Sequence, residues 1–110
     1  MPWLLRDGEV LAALEVADSG TTRLRGLLGR DGLDGALLLR PARSVHTIGM
    51  RFSIDVAFCD EDFRVVDVCS MRPNRMGRPR PKARSVIEAQ EGAFDRWRLR
   101  IGDCLEIKGE

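Results

Sequence analysis

Turn-forming residues (Gly, Pro, Asp and Asn) fall every ten residues or so along the chain, and short aliphatic runs lie between them. Gly and Pro interrupt the 3.6-residue repeat before it can bury a long helical face, whereas short strands suit this spacing. Trp3 to Leu5 and Val10 to Val16 flank Asp7-Gly8, a dipeptide that tolerates the positive φ angles of a tight hairpin turn. Ile54-Asp55-Val56-Ala57-Phe58 and Val65-Val66-Asp67-Val68 form a second hairpin signal around Cys59-Asp60-Glu61-Asp62. Leu37 to Leu39, closed by Pro41, Ser85 to Ala89, and Cys104 to Ile107 read as further strands.

Two segments break the strand pattern. Asp18-Ser19-Gly20-Thr21-Thr22 supplies helix caps ahead of Leu24, Leu27 and Leu28 at helical spacing, with Gly29 as the expected stop. Gly92 to Arg98 is read as a helical turn. The expected fold is mainly β: an antiparallel β-sandwich or flattened barrel with one or two short helices, α+β being the alternative. With 110 residues, 44% of them hydrophobic and 32% charged, the chain supports one core and therefore a single domain over 1–110. Aromatic residues are only 5% and Tyr is missing, so Leu, Val, Ile and Ala must fill that core.

The net charge of +1 gives no global field that would draw the chain to nucleic acid or an anionic membrane, so any electrostatic function is local. Charges interrupt the apolar residues of the first ten positions, and no apolar run approaches the length of a membrane span. The expectation is a soluble, cytoplasmic chain without a membrane partner. Cys59, Cys69 and Cys104 are too widely spaced for a CxxC pair and odd in number, which favours reduced, partly buried thiols.

Chemistry-bearing residues concentrate between Ser44 and Asp55, which hold the only histidine together with Thr47, Gly49, Met50, Arg51 and Asp55. An imidazole and a carboxylate beside a strand suggest an oriented His46–Asp55 pair. Arg30 and Arg51 would supply a fork for a carboxylate or phosphate nearby. The plainer alternative has His46 bonded to backbone, Asp55 anchoring a loop and Met50 filling core space. One histidine among scattered acids falls short of a metal-ligand pattern, and no metal is expected.

Arg25-Gly26-Leu27-Leu28-Gly29-Arg30, then His46-Thr47-Ile48-Gly49-Met50-Arg51-Phe52-Ser53-Ile54-Asp55, then Arg72-Pro73, Ala83 to Glu88 and Gly102-Asp103 occur in an order that resembles the domain-of-unknown-function-192 family. The resemblance covers about residues 10 to 107. It implies a compact β-sandwich-like domain, found in bacteria and archaea alone or behind an export signal, with no established reaction and no cofactor. The motif residues carried over are Gly26, Gly29, Arg30, His46, Thr47, Met50, Arg51, Phe52, Asp55 and Asp103. The chain departs from the pattern at Leu28, where Met is frequent, and at Ser53, where Pro is frequent.

A second feature is the run from Arg72 to Arg84, with six basic residues and no acidic one, punctuated by three prolines and a glycine. Arg75, Arg78, Arg80, Lys82 and Arg84 are the candidate contacts to a polyanion, and such binding would weaken steeply with salt. The run lacks aromatics to stack bases, so a solvated, mobile loop is the plainer reading and nucleic acid the weaker one. Trp97 is expected to pack in the core.

The favoured function is a small ligand-binding or accessory domain with its site around His46, Arg51 and Asp55, taking a small molecule. The enzyme alternative is a hydrolase or transferase with His46 as base and Asp55 orienting it, although no GxSxG, HExxH or phosphate-cradling loop is present. The third reading is weak polyanion binding through the 72–84 loop.

Overall fold

The structure, a computed structural model, describes residues 1–110, the side chain of Leu24 excepted. Strand β1 (Trp3–Arg6) turns through Asp7 and Gly8, both at positive φ, into β2 (Glu9–Ala17). Ser19 then caps α1 (Gly20–Arg25): its Oγ accepts from the Thr22 amide at 3.1 Å, while the Ser19 amide donates to Thr22 Oγ1 at 3.2 Å. The helix stops at Gly26, not at Gly29 as the leucine spacing predicts. Gly26 leaves the helical region with φ 46°, and Gly29 sits in the following turn with φ 79°.

Further along lie β3 (Ala36–Leu39), β4 (Ile54–Cys59), β5 (Val65–Met71), β6 (Ser85–Gln90), α2 (Ala93–Trp97) and β7 (Leu105–Lys108). These strands form one mixed sheet in the order β5-β4-β6-β3-β2-β1-β7. The protein is therefore mainly β with two short helices, as the sequence predicts. One pairing departs from the antiparallel expectation: β3 runs parallel to β2, with Leu14 opposite Ala36 and Ala17 opposite Leu39. The crossover through α1 and the loop after it brings the chain back in the same direction, which a tight turn cannot do. A side chain at Gly35 would place its Cβ 2.5 Å from the Ala13 carbonyl oxygen, so the start of β3 requires glycine.

The two edge strands approach each other. Arg64 bridges to Cys104, the Val65 amide donates to the Asp103 carbonyl at 2.9 Å, and the Leu105 amide donates to the Phe63 carbonyl at 3.0 Å. The sheet is thus curled into an incompletely closed, flattened barrel.

Two cores follow from this curl. The first holds Leu4, Leu14, Leu38, Ile87, Val65 and Leu105, which come from both edges and the centre, so it fills the concave side. Helix α2 closes it with Ala93 and Phe94, and Trp97 packs half-buried on Phe94 with ring centroids 5.5 Å apart. The second core lies on the outer face, where Leu37, Ile54, Val56, Phe58 and Val86 are covered by Leu27, Leu33, Val45 and Met50 from the long connections. Strands β4 and β6 are thus buried on both faces. No helix among the described residues is long and apolar enough to cross a membrane.

Candidate functional site

The roof over the outer face is built from two irregular segments that run side by side. The Gly77 amide donates to the Val45 carbonyl at 2.8 Å, the Thr47 amide to the Arg75 carbonyl at 2.8 Å, and the Asn74 amide to the Thr47 carbonyl at 2.8 Å. A Cβ at Gly77 would lie 2.4 Å from the Val45 oxygen, so only glycine permits the approach. Thr47 is fully buried between the segments, where its hydroxyl donates to the Arg72 carbonyl at 2.5 Å and accepts from the Arg75 amide at 2.9 Å. Asn74 Oδ1 accepts from the Gly49 amide at 2.9 Å, which holds the turn that brings Met50 down onto the sheet.

Beneath this roof is a cavity of about 80 Å³. Leu27, Leu39, Val45 and Met50 make its apolar walls, His46 stands on its lining, and Arg23 and Arg25 of α1 contribute the remaining charged side chains. Its floor carries Glu88 of β6, which lies opposite Leu37 on β3 and Val56 on β4 and is only 4% exposed. No hydrogen-bond donor among the described residues is in reach of the Glu88 carboxylate. Every described side-chain polar atom that is sealed from solvent does have a partner, so the Glu88 oxygens are ones that see the open space. Burial alone pushes the Glu88 carboxyl up from its ordinary 4.5 to about 7, with no cation of the protein pulling it back.

Sequence reasoning missed Glu88 as a site residue. Its signal is a charged side chain in Ser85-Val86-Ile87-Glu88-Ala89, a run of a strand apolar on both faces. Ile87 and Ala89 belong to the concave core and Val86 to the outer one, so Glu88 shares the Val86 face and reaches open space only through the cavity.

Of the six residues expected to form a ligand site, the cavity gathers two, His46 and Met50, and Thr47 positions them. The Ile48 amide donates to His46 Nδ1 at 3.3 Å, so a neutral imidazole carries its hydrogen on Nε2. The other three residues are elsewhere. Arg30 makes a bidentate pair with Glu15 at 3.0 and 2.9 Å, a bond that favours the charged form of both, pushing the guanidinium pKa up and the Glu15 carboxyl pKa down. Arg51 is 61% exposed and pairs with Asp31 at 3.1 Å. Asp55 is turned to the concave face, where it accepts from Ser70 Oγ at 2.9 Å and from the Gly92 and Phe94 amides at 3.0 and 3.1 Å. The expected His46–Asp55 pair therefore does not form, because strand alternation sends Asp55 through the sheet away from the histidine. A hydrolase or transferase that relies on Asp55 to orient His46 loses that partner.

The basic segment is not the free loop that its composition suggests. Besides the Thr47 and Val45 bonds, the Arg80 amide donates to the Arg43 carbonyl at 2.9 Å. Arg80 itself folds back, with its Nε 2.9 Å from Asp67 and its guanidinium 4.1 Å above the Phe58 ring, and it holds the Asp67 carboxyl below its usual range. Arg75 and Arg78 line an open groove with Arg72 and Arg80, whereas Lys82 and Arg84 stand outside it. Arg84 donates to the Pro81 and Ala83 carbonyls at 3.1 and 3.0 Å.

The three cysteines are free. Burial raises the Cys59 thiol to about 12, and Cys69, half-buried, is raised for the same reason. Cys104 is exposed.

Comparison with known proteins agrees with this fold. The profile of the DUF192 family, described as an uncharacterized ACR, matches residues 4–107. A UPF0127 protein of Pyrococcus horikoshii is 34% identical over 105 residues, covering 91% of this chain and 88% of its own length. A UPF0127 protein of Thermococcus sibiricus is 34% identical over 103 residues, covering 88% of this chain and 67% of its own. The crystal structure of a protein of unknown function from Novosphingobium aromaticivorans matches with a TM-score of 0.80 at 17% identity, over 96% of this chain and 82% of that one. None of these names states a reaction, and the crystal structure speaks for the fold alone. Matched along nearly its whole length, from the first strand to the last, the chain belongs to the DUF192 family.

Proposed function

We propose that the chain is a small-molecule-binding domain whose ligand occupies the cavity over Glu88 and is met by His46 and Met50. One observation carries this reading: a carboxylate, almost fully buried, borders open space with no donor from the protein. Burying such a group costs several kcal/mol when it is charged and uncompensated, on the order of the net stability of a small domain. Structural carboxylates in this chain avoid that cost, as Asp55 does by accepting three hydrogen bonds. A carboxyl perturbed by burial and set in a concave pocket beside other polar groups is a candidate binding or reacting site. The three free thiols support a reducing compartment, the cytoplasm, as the place where this domain works.

Methyl and imidazole NMR with a library of small polar fragments tests the reading. Fragments that bind should concentrate their shifts on the methyl groups of Leu27, Leu39, Val45 and Met50 and on the His46 ring. Shifts confined to the groove of Arg72, Arg75 and Arg78, or scattered over the surface, would count against the cavity and favour polyanion binding by the basic segment.

A further inference from the structure

The charges around the cavity narrow the chemistry of what enters it. Glu88 is the only carboxylate on the lining, and the other ionisable groups there are Arg23, Arg25 and His46. Neither guanidinium is committed to an acid. Arg23 makes only long bonds of 3.4 Å to the Asp18 and Arg40 carbonyls, and Arg25 has no ion-pair or hydrogen-bond partner among the described residues. A ligand that is only a cation would satisfy Glu88 but meet two like charges on α1. A ligand that is only an anion would suit the arginines and leave Glu88 either charged and unpaired or obliged to hold a proton.

We propose that the ligand is a small amphoteric molecule, an ammonium or similar N–H group on Glu88 and an acid group a few bonds away facing Arg23 and Arg25, the class of the smallest amino acids. This assignment rests on the binding reading above and adds the ligand class to it. The size agrees: a cavity of about 80 Å³ takes a few heavy atoms, and its walls of Leu27, Leu39, Val45 and Met50 accept a short aliphatic spacer between the two charged ends. Against a carboxylate this buried, the ammonium–carboxylate contact is stronger than at an exposed surface, and the N–H groups supply the donors that the protein withholds from Glu88.

Glycine, β-alanine, methylamine and acetate, titrated separately into the intact chain and followed by the His46 ring and the cavity methyl groups, provide the test. Glycine or β-alanine should bind at least tenfold more tightly than either methylamine or acetate. Glu88→Gln, which keeps the shape and removes the charge, should cost at least tenfold in affinity for the better amphoteric probe. Arg25→Gln, an exposed change that leaves the fold intact, should weaken that probe and leave methylamine unchanged or slightly tighter. The proposal is overturned if methylamine or acetate alone binds as well as the amphoteric probes, or if both variants bind them like the parent chain. Should none of the four probes reach the cavity while other fragments do, the ligand class is wrong and the binding site stands. Should no fragment of any class reach it, both fall.

Discussion

His46 and Asp55 belong to one short stretch of chain and lie on opposite faces of the sheet. Ile54, Val56 and Phe58 of β4 point to the outer core, so Asp55 between them points to the concave side. There it serves α2: the amides of Gly92 and Phe94, at the start of that helix, both donate to its Oδ2. His46 stays on the outer side with Val45 and Met50.

Asp55→Ala should therefore act on stability and leave the cavity alone. It leaves the buried Phe94 amide and the half-buried Gly92 amide without their acceptor, while the exposed Ser70 hydroxyl can turn to water, at a cost of about 1–3 kcal/mol. Urea unfolding should show a lower midpoint, and near-ultraviolet circular dichroism should report loosening around Trp97. His46→Ala should leave the midpoint within about 0.5 kcal/mol of the parent, since its one hydrogen bond is exposed.

Glu88 opposes the lowered carboxyls of Glu15 and Asp67 in the pH dependence of the fold. In the unfolded chain it ionises near 4.5 and in the folded chain near 7, so between these values the folded state binds the extra proton. Stability contributed by this group is therefore lost as pH rises from about 4.5 to about 7, and the deficit is complete above that. Glu88→Gln should raise unfolding free energy by about 2–3 kcal/mol near pH 8 and change it little near pH 4, read by thermal melts across pH.

Thr47 is the pin between the roof segments. Thr47→Val keeps its volume but leaves the Arg75 amide and the Arg72 carbonyl without their side-chain partner, which costs about 1–3 kcal/mol. Trypsin cleavage after Arg75, the one arginine between Arg72 and Arg80 that is not followed by proline, should then become faster than in the parent chain while cleavage after Arg64 in the β4–β5 hairpin is unchanged, as mass spectrometry of early fragments would show.

Thiol labelling should follow burial. Cys104, exposed at the edge of β7, should react first with an aromatic disulfide reagent. Cys69 should follow slowly, and Cys59, fully buried with its thiol raised to about 12, should react only on unfolding.

Much of the fold is legible in the sequence because short-range chemistry fixes it. Asp7-Gly8, Ser19 with Thr22, and the paired aliphatic runs of β4 and β5 act through neighbours along the chain or across one turn. The parallel β2–β3 pairing is not legible, since it depends on how the long connection after α1 crosses the sheet. The site is half legible for the same reason. His46 and Met50 stand out by residue type, whereas the exclusion of Asp55 follows from which face its strand turns inward. Glu88 becomes a site residue only when the roof of Val45, Met50 and Leu27 folds over it and leaves a small cavity at its carboxylate. Arg30 and Arg51 look like a ligand fork until Glu15 and Asp31 are seen to occupy them.

Carbon-13 titration of the Glu88 side-chain carboxyl is the most direct measurement of the account. A midpoint near 7 in the free protein, falling when glycine or β-alanine is added, is the expected result. A midpoint in the ordinary range of exposed glutamates would mean that water already satisfies this carboxylate and would contradict the account, whatever the two probes do.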